Sequence, residues 1–474
     1  MDIESILLLI FQILYIVTVI GLIGVIISEN RNPQKTICWI LILIFLPVIG
    51  IVIYIFFGED HRRINSMNKK LHKNLENLPE PQFKLHDTAE IDDKYLQLEE
   101  LLKRINRASL IGGNKIDFYS DGKDKFRQFF IDIENAKEHV HILYYKIMDD
   151  KIGNQLKDLL IKKAKEGVQV RVIYDDVGSI KTKKRFFREM KEGGVEVEAF
   201  LPIRFPRIAR RVNYRNHRKL AVIDGSIGYV GGMNVADCYI EGVKWGVWRD
   251  MHIRIEGQGV YGLQTTFILD WYYAHKENLN RAEYFPKVES KGNNPLQIVS
   301  SGPVDVYESI TSGFFEAINC AKRYVYMQTP YFIPTDHIIK AMQVAAMSGV
   351  EVILVIPAKS DNAFVDAGTF SFVNDLIDAN VKVYLYEKGF IHSKMFVIDD
   401  YLTVVGSANM DIRSFDLDFE TCAFVYDEDT ALKAKEIFMN DLKDSKFVVP
   451  EEWKNRPALR RLFESIMRLL TPLF

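Results

Sequence analysis

The chain has 474 residues, 48% of them hydrophobic, and 61 basic side chains nearly balance 63 acidic ones. That length exceeds one ordinary domain and leaves apolar material for both packed cores and a membrane segment. The balanced charge argues against a protein built wholly around nucleic acid, which is usually basic overall. Cys38, Cys238, Cys320 and Cys422 stand far apart with no C-x-x-C pair. They predict neither a zinc site nor a disulfide framework, only unpaired small hydrophobes.

Residues 5–28 and 36–58 carry no charged side chain. Each run exceeds the roughly 20 residues a helix needs to cross the hydrocarbon core. A polar turn with Pro33 separates them, and the acidic start (Asp2, Glu4) with no small-residue cleavage pattern argues against a signal peptide. Residues 1–58 therefore read as a two-helix transmembrane hairpin. Arg62, Arg63, Lys69, Lys70 and Lys73 follow the second run, against Arg31 and Lys35 in the turn. That excess predicts a cytoplasmic catalytic portion.

Residues 59–108 are polar and charged, with Pro79 and Pro81, and read as a connector with some helix. Two stretches then read alike, residues 133–174 and 317–356. In each, a helix ends in Ala-Lys, a strand of β-branched and aromatic residues follows, and a helix ending in Gly leads to a second strand. Such units predict α/β architecture with right-handed crossovers. The repeat predicts two lobes, 109–290 and 291–445, facing each other across a pseudo-twofold axis with a site between them.

Each copy ends in the same motif. The first reads His217-Arg-Lys219, Asp224, then Gly231-Gly-Met-Asn234; the second reads His392-Ser-Lys394, Asp399, then Gly406-Ser-Ala-Asn409. The pattern H-x-K-x4-D-x6-G-[GS]-x-N recurs at identical spacing, which accident does not produce. Histidine and lysine alternate along a strand and project from one face. Two lysines and two asparagines can surround phosphodiester oxygens without a metal. One histidine can attack phosphorus while the other protonates the leaving oxygen and then deprotonates the incoming alcohol. Nothing in the sequence resembles the acidic cluster of a two-metal site, so no metal or other cofactor is expected. His139, His141 and His252 read as structural.

The duplicated motif resembles the phospholipase D superfamily, over nearly all of residues 109–445. The resemblance implies that His217 is the nucleophile and His392 the general acid and base. Lys219, Lys394, Asn234 and Asn409 would bind phosphate, whereas Asp224 and Asp399 belong to the catalytic motif but would be structural. The carboxylates orienting the histidines would be Asp250 and Glu420. Asp418 departs from the family pattern, which commonly has Asn there.

Residues 33–58 resemble the membrane module of the bacterial cardiolipin synthases, and Tyr174-Asp-Asp-Val-Gly-Ser179, Ser301-Gly-Pro303, Thr329-Pro-Tyr-Phe-Ile-Pro334, Trp248-Arg-Asp250 and Arg413-Ser-Phe415 match them too. This implies a multi-pass enzyme of the bacterial plasma membrane that moves a phosphatidyl group between two phosphatidylglycerols, giving cardiolipin and glycerol through a phosphohistidine. The rivals are a phospholipase D-type hydrolase, another phosphatidyltransferase and a nuclease; the apolar runs and neutral charge speak against nucleic acid as partner. Arg204, Arg207, Arg210, Arg211 and Arg215 precede the first motif and are expected to capture anionic lipid headgroups. Residues 446–474 predict an amphipathic C-terminal helix, lying on the bilayer or packed on the catalytic core. The sequence leaves the oligomeric state open.

Overall fold

A computed structural model describes residues 3–28, 33–46, 48–57, 89–202, 213–279, 281–303 and 305–471. The first apolar run forms a single 26-residue helix, Ile3–Ser28, the one helix among the described residues long and apolar enough to cross a membrane. Its Val19 and Ile26 pack against Trp39 and Leu43 of the next helix, while most of its other side chains face outward. The Tyr15 hydroxyl donates to the Leu43 carbonyl at 2.9 Å.

The second run differs from the uninterrupted span expected. It forms two helices, Pro33–Phe45 and Ile49–Phe57, on either side of the Pro47 position. Proline offers no N–H and its ring crowds the preceding turn, so a helix kinks or stops there. Hydrogen bonds from Leu46 N–H to Ile42 O (3.0 Å) and Gly50 N–H to Leu46 O (2.7 Å) carry the chain past the break.

The rest is built on a 16-stranded sheet centred on an antiparallel pair, Ile111–Tyr119 with Asn294–Ser301. Outward from Ile111–Tyr119 run His252–Glu256, Ile227–Gly231, Lys219–Ile223, His139–Tyr144, Gln169–Asp175 and Glu196–Phe200. Outward from Asn294–Ser301 run Asp418–Tyr426, Leu402–Gly406, Met395–Ile398, Tyr324–Gln328, Glu351–Pro357 and Lys382–Tyr386, then Ser445–Phe447. Strand order and direction correspond step by step: four antiparallel pairings, then two parallel ones. Parallel neighbours need a crossover, here the helices Lys151–Lys165 and Asp336–Met347.

Burial explains why the two halves stay together. One apolar cluster joins Phe267 and Trp271 of helix Val260–His275 to Ile298, Tyr326, Ala423 and Phe438 of the later half. The stretch read as a connector also contributes to the core. Tyr95, Leu98 and Leu102, at the start of and along helix Leu96–Asn106, are fully buried with Phe314 and Phe424. The leucine spacing puts both on one helical face, so polarity along this segment marked its solvent side only.

Candidate active site

Each motif histidine is delivered by a short strand that hydrogen-bonds to the opposite half of the chain. Arg215–Asn216 pairs in parallel with Asp418–Phe419, and the His217 N–H then donates to the Phe419 carbonyl at 2.9 Å. Gly389–Ile391 pairs in parallel with Val247–Arg249, and the His392 N–H donates to the Arg249 carbonyl at 2.6 Å. The side chains continue the exchange. His217 Nδ1 lies 2.8 Å from Glu420 Oε1, and His392 Nδ1 lies 2.6 Å from Asp250 Oδ2. With Nδ1 engaged by a carboxylate, the chemistry of each ring falls to Nε2, which in His392 lies 3.2 Å from Lys394 Nζ.

The motif lysines begin or precede the next strands and are buried. Lys219 Nζ donates to the His217 carbonyl, and Lys394 Nζ donates to the His392 carbonyl at 2.5 Å. Burial pulls Lys219 down to about 7 and Lys394 to about 8, although Glu420 and Asp250 act in the opposite sense. Burial also holds His217 at about 4, against the pull of Glu420 and with help from Lys219 and Lys394. His392 is held well below its ordinary value by burial, then by Lys394 and Lys219. Each histidine thus feels the lysine of the other half, so the four groups form one electrostatic unit.

The two carboxylates are not equivalent. Burial raises Asp250 to about 7, whereas at Glu420 the burial penalty is outweighed by His217, Lys219 and Ser407, and its value falls. The Ser407 hydroxyl donates to Glu420 Oε2 at 2.5 Å. Its counterpart in the first motif is Gly232, where an added Cβ would sit 2.1 Å from Asp250 Oδ1. This explains the one specified position of the pattern at which the two copies differ, G-G against G-S. The shorter aspartate draws its carboxylate in over the glycine, and the longer glutamate leaves room for a hydroxyl.

Asp224 and Asp399 stand apart from the histidines. Both have positive φ, 49° and 52°, in the turn that closes a strand pair. The Asp224 carboxylate accepts the N–H groups of Lys137, Glu138 and His139 at 2.8–2.9 Å. The Asp399 carboxylate accepts those of Lys322, Arg323 and Tyr324 at 2.7–2.9 Å. Each therefore fixes the start of the strand neighbouring its own motif. Asn234 donates to the Tyr239 hydroxyl at 2.8 Å and accepts from the Lys146 N–H at 3.1 Å. The side-chain oxygen of Asn409 is buried without a hydrogen-bond partner among the described residues.

The expectation for Arg215 is revised. It is 2% exposed, and its Nη1 lies 3.4 Å from Asp175 Oδ1, whose partner oxygen accepts the Asn216 N–H at 2.9 Å. Its charge is used at least in part to fix the strand before His217. Arg204, Arg207, Arg210 and Arg211 lie outside the described residues.

Several side chains serve as supports, a role the sequence does not assign them; by sequence Arg218 groups with the headgroup-capturing arginines. Arg218, between the motif His and Lys, is buried and bonds both oxygens of Asp270 at 2.6 Å and the Glu420 carbonyl at 3.1 Å. Arg249 holds Asp441 at 2.7 and 2.8 Å in the other half. Neither residue has a sequence signal beyond its place beside a motif. His139 and His141 share Gln264 deep in the first half, as structural histidines do. The four cysteines are unpaired.

Asp418 is a strongly perturbed carboxylate beside the site. Burial pushes it to about 8 against the pull of Arg413 at 3.3 Å, and its Oδ1 has no hydrogen-bond partner among the described residues. Ligand atoms of His217, Asp418 and Glu420 lie within 4.8 Å of one another, a grouping that could hold a metal ion. Lys219 already supplies positive charge beside it.

A sheet of two like-ordered halves, closed over two crossed His–carboxylate pairs and two buried lysines, defines a phosphoryl-transfer enzyme of the kind the motif suggested. The family described as the cardiolipin synthase, phospholipase D-like domain matches residues 130–242 and 314–442, and the phospholipase D-nuclease N-terminal family matches residues 13–59. The chain is 44% identical to the major cardiolipin synthase ClsA of Bacillus subtilis, covering 100% of both chains. It is 40% identical to a cardiolipin synthase of Listeria monocytogenes over 94% of this chain and 95% of that one, and 41% identical to cardiolipin synthase 1 of Staphylococcus epidermidis over 94% and 93%. A crystal structure of phosphatidylserine synthase from Haemophilus influenzae superimposes with a TM-score of 0.61 at 14% identity, covering 80% of this chain and all of that one, a likeness of fold. The chain belongs to the phospholipase D-like cardiolipin synthase family.

Proposed function

We propose that this enzyme makes cardiolipin, transferring the phosphatidyl group of one phosphatidylglycerol to the terminal hydroxyl of another and releasing glycerol. His217 Nε2 attacks phosphorus, the P–O bond to the departing glycerol breaks, and His392 supplies that oxygen with a proton. The second phosphatidylglycerol then gives its hydroxyl proton to His392, and its oxygen displaces His217 from phosphorus. One phosphodiester replaces another, so no nucleotide is consumed. The observation that carries the assignment of roles is the unequal pairing: Glu420 stays ionised and supports a nucleophilic His217, while Asp250, pushed up to about 7, shares a proton with His392.

Lys219, Lys394, Asn234 and Asn409 surround the phosphate oxygens, with Asp224 and Asp399 as scaffold. Arg204, Arg207, Arg210 and Arg211 gather anionic lipid. The chain divides into a membrane hairpin (1–58), a connector (59–108), two phospholipase D-like lobes related by a pseudo-twofold axis (109–290 and 291–445) and a C-terminal helical segment (446–474). Support for the lobes comes from the corresponding strand orders, and for the hairpin from the apolar helices Ile3–Ser28 and Pro33–Phe45. The enzyme sits in the bacterial plasma membrane with its catalytic lobes in the cytoplasm.

The test is detergent-solubilised enzyme with phosphatidylglycerol as sole lipid, in EDTA, with products read by mass spectrometry beside His217→Ala. Cardiolipin and glycerol, absent from the variant, are expected. Phosphatidic acid alone would instead identify a hydrolase, and cleavage of single-stranded DNA a nuclease.

A further inference from the structure

The C-terminal helix Ala458–Leu470 is amphipathic in the reverse of the usual sense. An ordinary surface helix turns its apolar stripe to the core and its charges to water. Here Glu464 and Arg468 turn to the protein, while Arg460 and Arg461 stay exposed beside the apolar stripe. Glu464 is buried and accepts Arg456 Nη1 and Nη2 at 2.8 and 2.9 Å and Arg460 Nε at 3.1 Å. Arg468 Nη2 reaches Asp375 at 2.6 Å, and its guanidinium lies 4.4 Å from the centre of the Phe372 ring. The opposite side presents Leu459, Leu462, Phe463, Ile466 and Leu469, which are 42–82% exposed. Their spacing of three and four residues makes one continuous stripe. Phe364, 59% exposed on helix Ala363–Ser371, extends it, with its ring 6.4 Å from that of Phe463.

The stripe runs into the N-terminal apolar helices. Cys38 Sγ lies 3.5 Å from the Leu469 carbonyl, and Ile37, Leu41 and Ile44 on the same helix as Cys38 are exposed as well. Close to this junction, Lys35 Nζ bonds Asp416 at 2.7 Å. Asp416 ends the short helix Ile412–Asp416, whose Arg413 pairs with Asp418 in the active site.

We propose that the helix Ala458–Leu470, with Phe364, is a second membrane contact that lies in the bilayer interface and sets the active site against the lipid surface. A helix of this length spans about 20 Å, enough to rest along the headgroup–acyl boundary with its stripe among the chains. The occupant is lipid because the stripe continues the outward apolar surface of the N-terminal helices, one of which is long enough to cross a bilayer. The inference rests on the reading of those helices as membrane-inserted.

The test uses the full chain in proteoliposomes of phosphatidylglycerol and phosphatidylethanolamine, with Cys38→Ser and Cys238→Ser and a polarity-sensitive fluorophore on one introduced cysteine. Leu462→Cys and Ile466→Cys probe the stripe, Leu14→Cys on helix Ile3–Ser28 the membrane helix, and Lys433→Cys the exposed side of helix Glu428–Lys443. Brominated lipid is expected to quench the probes at 462, 466 and 14 and to spare 433. Quenching at 14 alone would overturn the interfacial helix and leave the N-terminal reading standing; loss of quenching at all positions would overturn both. Probes at 462 and 466 shielded from both brominated lipid and aqueous iodide would show a second copy covering the stripe, which also overturns the inference. In a separate arm, Leu462→Glu with Ile466→Glu is expected to raise KM for vesicle phosphatidylglycerol about tenfold with kcat in mixed micelles unchanged. An unaltered vesicle KM would count against a role in seating the site.

Discussion

His217 and Glu420 are hydrogen-bonded at 2.8 Å although 203 residues separate them along the chain. The same holds in reverse for His392 and Asp250, 142 residues apart. Neither half of the fold therefore contains a complete histidine–carboxylate pair. The proposed mechanism requires both halves in register, and the Arg218–Asp270 and Arg249–Asp441 ion pairs buttress the strands that cross.

Replacing these carboxylates tests the pairing. Glu420→Gln preserves shape but can present an N–H to Nδ1, favouring the wrong tautomer of His217. Cardiolipin formation is expected to fall by roughly 10²–10⁴-fold with little change in KM. Asp250→Asn should do the same through His392. Rapid-quench detection of the phosphohistidine would separate them: a fault at Glu420 slows its formation, whereas wild-type formation rates in Glu420→Gln would refute the orienting role of this carboxylate.

The pH profile follows from the lysines. Both folded values are depressed, to about 7 for Lys219 and about 8 for Lys394, so their charge is lost as pH rises through that window. The kcat/KM for phosphatidylglycerol, which reports the free enzyme, is expected to fall above pH 7 to 8. Stability runs the other way. Between those values and the ordinary lysine range the unfolded chain binds more protons, so unfolding becomes harder with rising pH. Asp418, near 8, is protonated at neutral pH, so Asp418→Asn is expected to keep activity within about threefold at pH 7.

Asp224 and Asp399 give a contrasting outcome. Asp399→Ala strips the acceptors from three backbone N–H groups beneath a buried strand and is expected to cost about 2–4 kcal/mol. Thermal and denaturant midpoints should drop while kcat per folded molecule stays near wild type. A large kcat loss in a normally stable Asp399→Ala protein would place this carboxylate in the chemistry.

The ion pair between Lys35 and Asp416 ties the apolar helices to the catalytic portion across 381 residues. Lys35→Asp is expected to weaken that seating by about 1 kcal/mol or more, since both partners are largely buried, and to lower vesicle activity. The exchange Lys35→Asp with Asp416→Lys should recover most of it. Recovery is the discriminating readout, because simple misfolding would persist in the double variant.

Local pattern determined much of this protein. Alternating β-branched residues followed by helical stretches marked the strands His139–Tyr144, Gln169–Asp175, Tyr324–Gln328 and Glu351–Pro357, because burial on a pleated strand demands those side chains. Fixed spacing placed His217, Lys219, His392 and Lys394 in one chemical unit, since each motif is a single turn-linked strand pair. Other features depended on residues far apart in the chain. The burial of Tyr95 and Leu98, the inward pairing of Arg215 with Asp175 and the outward stripe of Ala458–Leu470 belong to this set. Charge and amphipathicity are visible in sequence, but which side of a helix or arginine meets protein is decided by the partner waiting there. Only the assembled fold brings those partners within reach.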